Sequence, residues 1–169
     1  FPSIMQNRGS VRNQGIELQW NSGNVIVGDF RWDMGFNISF NRNRVMELPN
    51  HESFLQTASN VSQIVQEGED IYSWYMPKWL GVNPENGDPL WEKINYDADG
   101  NEIGREATNN YNEAQSQIVG KATPICSGGW LNTFSWKGLS LGINCMYNVG
   151  GKIFNFTREA IDSDGAYVG

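Results

Sequence analysis

The chain lacks any run of about 18 consecutive apolar residues, so no segment of it suits a transmembrane helix. That absence leaves a β-barrel open, because strands that alternate lipid-facing and lumen-facing residues average out as polar. Histidine is represented only by His51, and cysteine only by Cys126 and Cys145. A multi-histidine metal centre and a dense disulfide framework are thereby excluded, and no Ser-His-Asp spacing is evident. Positive charge is also scarce. With 12 Lys+Arg against 19 Asp+Glu, no basic stripe exists to neutralise phosphates, and nucleic acid is excluded as a partner. Glu67, Glu69 and Asp70 are near neighbours on one polar stretch rather than an opposed pair of acids, so an enzyme is not expected. The stretch Asp97 to Glu102 (DADGNE) resembles a calcium loop only faintly, since its twelfth position is Thr108 rather than a bidentate Glu. A β-turn explains it, and no metal or other cofactor is expected. The chain begins at Phe1 with neither initiator Met nor leader, and reads as an excised or processed piece.

What is present is Gly (19), Trp (7) and abundant Asn, a composition suited to a turn-rich β protein. Residues 29–40 read DFRWDMGFNISF. Phe30, Trp32, Met34, Phe36, Ile38 and Phe40 alternate with Arg31, Asp33, Gly35, Asn37 and Ser39, which predicts a strand with two unlike faces. The apolar face belongs either in the core of a soluble β-sandwich or against lipid, with the other face lining a wet lumen. On the second reading Phe30 to Phe40 are lipid-facing. Glu17, Gln19, Asp29, Arg31, Asp33, Asn37, Ser39 and Asn41 are then lumen-facing. GIELQW (Gly15 to Trp20) precedes NSGN (Asn21 to Asn24), which reads as a turn, so 7–41 is expected to be a strand hairpin.

A second hairpin is expected over 129–150. Trp130, Phe134 and Trp136 share one parity and Leu139 to Val149 the other, switching across Lys137-Gly138. Facing Trp136 with Leu139 puts Trp130 opposite Cys145 and Cys126 near Val149. The cysteines are then about 13 Å out of register, beyond disulfide reach, and Cys145 becomes a small apolar surface residue. Trp20, Trp32, Trp130 and Trp136 are placed toward strand ends, as in an aromatic girdle. Residues 42–128 form one long connection, far beyond ordinary loop length. Within it a small hairpin turns at Asp99-Gly100-Asn101, a short helix starts near Thr108 or Asn109, and His51 to Gln56 makes a helical turn. Tyr72, Trp74, Tyr75, Trp79 and Trp91 in this segment either fill it as a core of its own or contact a ligand or partner. Residues 151–169 begin a further outer loop. Short, long and short connections follow one another, as in transmembrane barrels, yet four strands cannot close one.

Four stretches carry a family resemblance, in order: NRGSVRNQGIEL (7–18), FNISFNRNRVMEL (36–48), EGEDIYSWYMPKWLGVNPENGDPLW (67–91) and IVGKATPICSGGWLNTFSWKGLSLGINCMYNVGGKIFN (118–155). Together they resemble the C-terminal barrel region of SusC/RagA-type TonB-linked outer-membrane transporters. The resemblance implies an all-β fragment of a transmembrane barrel embedded in outer-membrane lipid. It also implies uptake of a bulky nutrient, a glycan oligomer or peptide, with a SusD-like surface lipoprotein as partner. TonB would act through a plug region that has no counterpart in these residues. The alternative is a soluble β-rich carbohydrate-binding module using Trp74, Trp79 and Trp91 as its platform.

Overall fold

A computed structural model of the chain describes residues 9–58 and 61–161. Strand β1 (Ser10–Val27) and strand β2 (Phe30–Glu47) form one long antiparallel hairpin. Its turn is Gly28-Asp29, with Gly28 at φ +57°, where a glycine meets no Cβ clash. The NSGN stretch does not turn the chain. The register runs Gly23↔Asp33 and then Val25↔Trp32, which leaves Asn24 as a β-bulge, and Ser22 Oγ donates to Asn24 Oδ1 at 2.8 Å. A bulge switches apolar parity just as a turn does, here from Ile16, Leu18 and Trp20 to Val25 and Val27, so the pattern alone does not separate the two. Asp29 therefore lies in the turn rather than along the strand.

Between this hairpin and the next come β3 (Phe54–Ala58), β4 (Val61–Val65), β5 (Ser73–Pro77), β6 (Trp79–Val82), β7 (Pro89–Tyr96), β8 (Glu102–Thr108) and β9 (Ser116–Lys121). The second hairpin is β10 (Cys126–Trp136) and β11 (Leu139–Val149), and a short helix α1 (Phe156–Ile161) follows. The β10–β11 register is the one parity predicts: Trp136↔Leu139, Trp130↔Cys145 and Cys126↔Val149. Lys137 and Gly138 turn it at φ +45° and +83°, as a two-residue I′ connection requires. Both thiols are free, four residues out of register.

The strands make three antiparallel sheets, in the orders β1-β2-β10-β11, β3-β4-β5-β9 and β6-β7-β8. Strands β2 and β10 are neighbours in the first sheet although residues 48–125 separate them in sequence. The chain divides into two compact units. One holds the described residues up to Phe54, Val65–Tyr72 and Thr123–Gly151. The other holds the described residues of Leu55–Ile64, Ser73–Ala122 and those from Lys152 to Ile161. In the first, Val45, Leu48 and Val65 are buried together, with Ile71 packed against them. In the second, Val61, Ile64 and Ile94 are buried.

The β7–β8 hairpin turns where expected, with Gly100 at φ +84°. Two expected helical pieces are corrected. After Thr108 only one 3-10 turn forms, Tyr111–Glu113, capped by Asn110 Oδ1 accepting from Asn112 N–H; the chain then extends as β9 and pairs with β5. The adjacent β-branched residues Ile118 and Val119 override the short helical start. Likewise the turn near His51 is Pro49–His51, where a proline suits a first helical position, and Phe54 to Gln56 enter β3.

Candidate functional site: a two-faced sheet and its long connection

Strand alternation sorts the first sheet into two faces. On one face the register stacks six rows across four strands. From the turn end they are Val27, Phe30, Trp136 and Leu139; then Val25, Trp32, Phe134 and Leu141; then Ser22, Met34, Asn132 and Ile143. The next rows are Trp20, Phe36, Trp130 and Cys145; Leu18, Ile38, Gly128 and Tyr147; and Ile16, Phe40, Cys126 and Val149. Beyond them Gln14 pairs with Arg42, and the apolar band stops. All six residues Phe30, Trp32, Met34, Phe36, Ile38 and Phe40 lie on this face, and none belongs to the buried core. Trp20 remains 67% exposed and Trp136 52%. Ten residues of strand rise are about 34 Å, and a tilt near 40° makes that a band about 25 Å high.

The band's few polar atoms are satisfied within it. Buried Asn132 accepts from Trp32 Nε1 at 3.0 Å, and Trp32 stacks on Phe134 at 5.8 Å. The Tyr147 hydroxyl reaches across Gly128 and donates to the Asn37 carbonyl at 2.9 Å. The girdle expectation is half corrected. Trp136 and Trp32 occupy the two rows nearest the turns, but Trp20 and Trp130 share the fourth row with Phe36, well inside the band.

The opposite face carries Glu17, Gln19, Arg31, Asp33, Asn37, Ser39 and Asn41, as parity predicts. Arg31 and Asp33 pair with each other there in a fork at 2.5 and 2.8 Å, and Glu17 accepts a hydrogen bond from Ser39 Oγ at 3.3 Å. Gly23, Gly129, Gly142, Ser127, Ser135 and Thr133 share this face, with Ile26, Leu131 and Met146 as its apolar members, so it is a mostly polar, hydrogen-bonding surface.

The five loop aromatics fall on different elements of the fold. Tyr72 belongs to the first compact unit. Trp74 and Tyr75 are adjacent on β5, and Trp74 Nε1 donates to the Lys152 carbonyl at 2.8 Å beside Met76, Val119, Ile153 and Phe154. Trp79 and Trp91 are cross-strand partners, edge to face at 5.6 Å. Tyr111, which the sequence reading missed, adds a third ring at 5.3 Å from Trp91. It rides on the 3-10 turn that replaced the expected helix, so no periodic signal marked it.

Charge holds the third sheet together. Buried Glu92 receives Lys78 Nζ and Arg105 Nη1, each at 2.8 Å, and Arg105 also forks onto Glu102. The Lys78 ammonium above all, with Arg105 helping, holds the Glu92 carboxyl below the usual carboxylate range despite burial. Glu106 and then Glu113 push the Lys93 ammonium upward. At the Asp97 turn the carboxylate accepts from the N–H groups of Asn101 and Asp99, at 2.8 and 3.0 Å, which lowers its pKa. These oxygens serve their own turn. Among the described residues no group of three or more His, Cys, Asp or Glu is arranged to hold a metal.

No family model matches the chain. It is 31% identical over 174 residues to TonB-dependent receptor P3 of Formosa agariphila, an alignment covering 97% of this chain and 17% of that protein. To the TonB-dependent receptor SusC of Bacteroides thetaiotaomicron it is 29% identical over 108 residues, 58% of this chain and 10% of that one. It superposes on a structure of the RagAB peptide importer in the closed-closed state with a TM-score of 0.69 and 29% identity, over 86% of this chain and 16% of the importer chain. The chain is a segment of a SusC/RagA-like TonB-dependent receptor. The segment spans about a sixth of the length of the curated receptors P3 and P39 that it matches. These relatives are receptors and an importer, not enzymes. The all-β fold of the receptor segment is that of part of a barrel, and four strands fall short of the roughly eight that closure needs.

Proposed function

We propose that the receptor containing this segment sits in the bacterial outer membrane and imports a bulky nutrient, a glycan oligomer or a peptide. In this reading Phe30, Trp32, Met34, Phe36, Ile38 and Phe40 meet lipid tails. Glu17, Gln19, Arg31 and Asp33 line the lumen, where a plug domain driven by TonB moves. The observation that carries the reading is the six-row apolar band, in which Phe30, Trp32, Met34, Phe36, Ile38 and Phe40 all lie outside the buried core of the described residues. Its height of about 25 Å suits the outward apolar band of transmembrane barrels. The connections agree: Gly28-Asp29 and Lys137-Gly138 at one end are short, whereas at the other end the chain leaves β2 at Glu47 and re-enters β10 at Cys126 through a connection of residues 48–125. Short turns face the periplasm in such barrels and long ones the outside. The half-exposed rings of Trp79 and Tyr111, with Tyr72, Trp74, Tyr75 and Trp91, then offer contact points for a SusD-like surface lipoprotein or the captured ligand.

Site-directed labelling tests the topology. In intact cells a membrane-impermeant maleimide should label the full-length receptor at Asn86→Cys, in the outer segment, and leave Lys137→Cys untouched. Equal labelling of both sites would overturn it. Affinity purification of the receptor should bring down a surface lipoprotein encoded beside it, and deletion should abolish TonB-dependent growth on one class of oligomer. A soluble carbohydrate-binding module is disfavoured, because it would enclose Phe30 to Phe40 in a core.

A further inference from the structure

The last β10 partner of β2 is Cys126, opposite Phe40, yet β2 continues to Glu47. Beyond Phe40 one edge of β2 would be open, and residues 66–71 take its place. Val45 exchanges two backbone hydrogen bonds with this strap: its N–H donates to the Glu69 carbonyl, and its carbonyl accepts from Gly68 N–H, both at 2.9 Å. Ile71 N–H donates to Asn43 Oδ1 at 3.0 Å. At Leu48 a side chain stands where the ladder would offer a carbonyl, and Leu48 N–H donates to Glu67 Oε1 at 2.7 Å. The same carboxylate faces His51 Nδ1 at 2.9 and 3.2 Å; a carboxylate only accepts, so this nitrogen carries the proton. Within the turn so held, Asn50 and His51 lie at φ +57° and +59° in succession. Non-glycine residues adopt that region at a cost, and two in a row persist only where the surroundings impose it.

We propose that Glu67 is a positioning residue, a latch that holds a strained turn shut and so fixes the root of the outer segment to the end of β2. One side chain anchors the turn at both of its ends, Leu48 and His51. Released, Asn50 and His51 relax to extended backbone, and the turn and strap open together. The latch does not depend on what the receptor carries.

Amide hydrogen exchange on the full-length receptor in detergent micelles tests this. Glu67→Ala should raise exchange in peptides covering 45–52 and 66–70 by about tenfold, as loss of a charge-assisted hydrogen bond predicts, and leave β10 and β11 unchanged. Glu67→Gln, which keeps an acceptor oxygen, should fall between. Asn50→Gly removes strain from the turn, so on its own it should lower exchange in 45–52 about threefold, and Glu67→Ala in that background should return it toward the wild-type level. Unchanged or raised exchange in Asn50→Gly would show that the turn is not strained, and that result overturns the latch. Unchanged exchange in Glu67→Ala overturns it too, as does loss of protection spreading into β10 and β11. If Glu67→Ala does not fold, Glu67→Gln with and without Asn50→Gly is read by the same criteria.

Discussion

Gly128 shows how little space a single position in this sheet leaves. A Cβ there would sit 2.1 Å from the Asn37 carbonyl oxygen and 2.4 Å from the Tyr147 hydroxyl, so the backbone of β2 and the tyrosine that bridges it occupy the room. Gly142 on the next strand meets nothing within 4 Å. Gly128→Ala should therefore destabilise the folded receptor by about 1–3 kcal/mol in guanidinium unfolding, while Gly142→Ala shifts the midpoint far less. Glu92 is the other residue whose surroundings dictate an outcome. Its pKa is depressed below its ordinary 4.5, so its contribution is present above that pH and is lost as pH falls through the lower folded value. Pepsin cleavage within 89–108 should rise as pH drops from 5 toward 3. Glu92→Gln should be cut readily already at pH 5, having lost about 1–3 kcal/mol; a fully buried pair would lose more, but Lys78 and Arg105 are about half exposed. Equal cleavage of both proteins across that range would show that the Lys78–Glu92–Arg105 cluster contributes nothing.

Strands carry the same logic at the next scale, where the two faces of one element should respond in opposite ways to one charge. Phe36 lies in the fourth of six rows on the apolar face, and Gln19 is one position away on the polar face. Phe36→Arg should cost about 2–4 kcal/mol and lower the amount of folded receptor reaching the outer membrane, whereas Gln19→Arg should cost under about 1 kcal/mol. Heat-modifiable electrophoresis of membrane fractions reads both. Similar losses for the two variants would mean that the faces are not lipid and lumen. How much was legible in the sequence follows from the same periodicity. The β10–β11 register was readable to the residue because one clean parity switch fell on Lys137-Gly138, and the turn supplied the glycine. In β1 the switch fell on Asn21 to Asn24, where the bulge at Asn24 mimics a turn, so the hairpin was placed several residues early. The segment between β2 and β10 was less legible still. Its strands β3 to β6 are four or five residues long, too short for period two to declare itself, and pairings such as β5 with β9 join residues far apart in sequence. Trp79 and Trp91 stood out by residue type. That they meet, and that Tyr111 joins them, depends on the β6–β7 register and on a 3-10 turn, neither of which has a local signature.

For the whole molecule the decisive quantity is the apolar surface of the first sheet that lies outside the buried core of the described residues. Six rows of four strands make a band about 34 Å long and 19 Å wide, on the order of 600 Å². That is at the upper end of what a soluble monomer exposes in one patch. Strands β1 and β11 also end the sheet, each with an edge that no other described strand pairs. The two features predict different behaviour for the isolated 169-residue chain. Detergent covers an apolar face but supplies no hydrogen-bonding partner for an open strand edge. In buffer alone the chain should therefore aggregate. In detergent it should become soluble yet remain a mixture of small oligomers joined edge to edge, and only the intact receptor, with every strand paired, should run as a discrete species. Size-exclusion chromatography with light scattering distinguishes these states. A monodisperse monomer in buffer would mean that the Phe30 to Phe40 face finds cover within the chain itself, and the membrane reading would fall. A monodisperse monomer in detergent alone would keep the lipid face and discard the open edges.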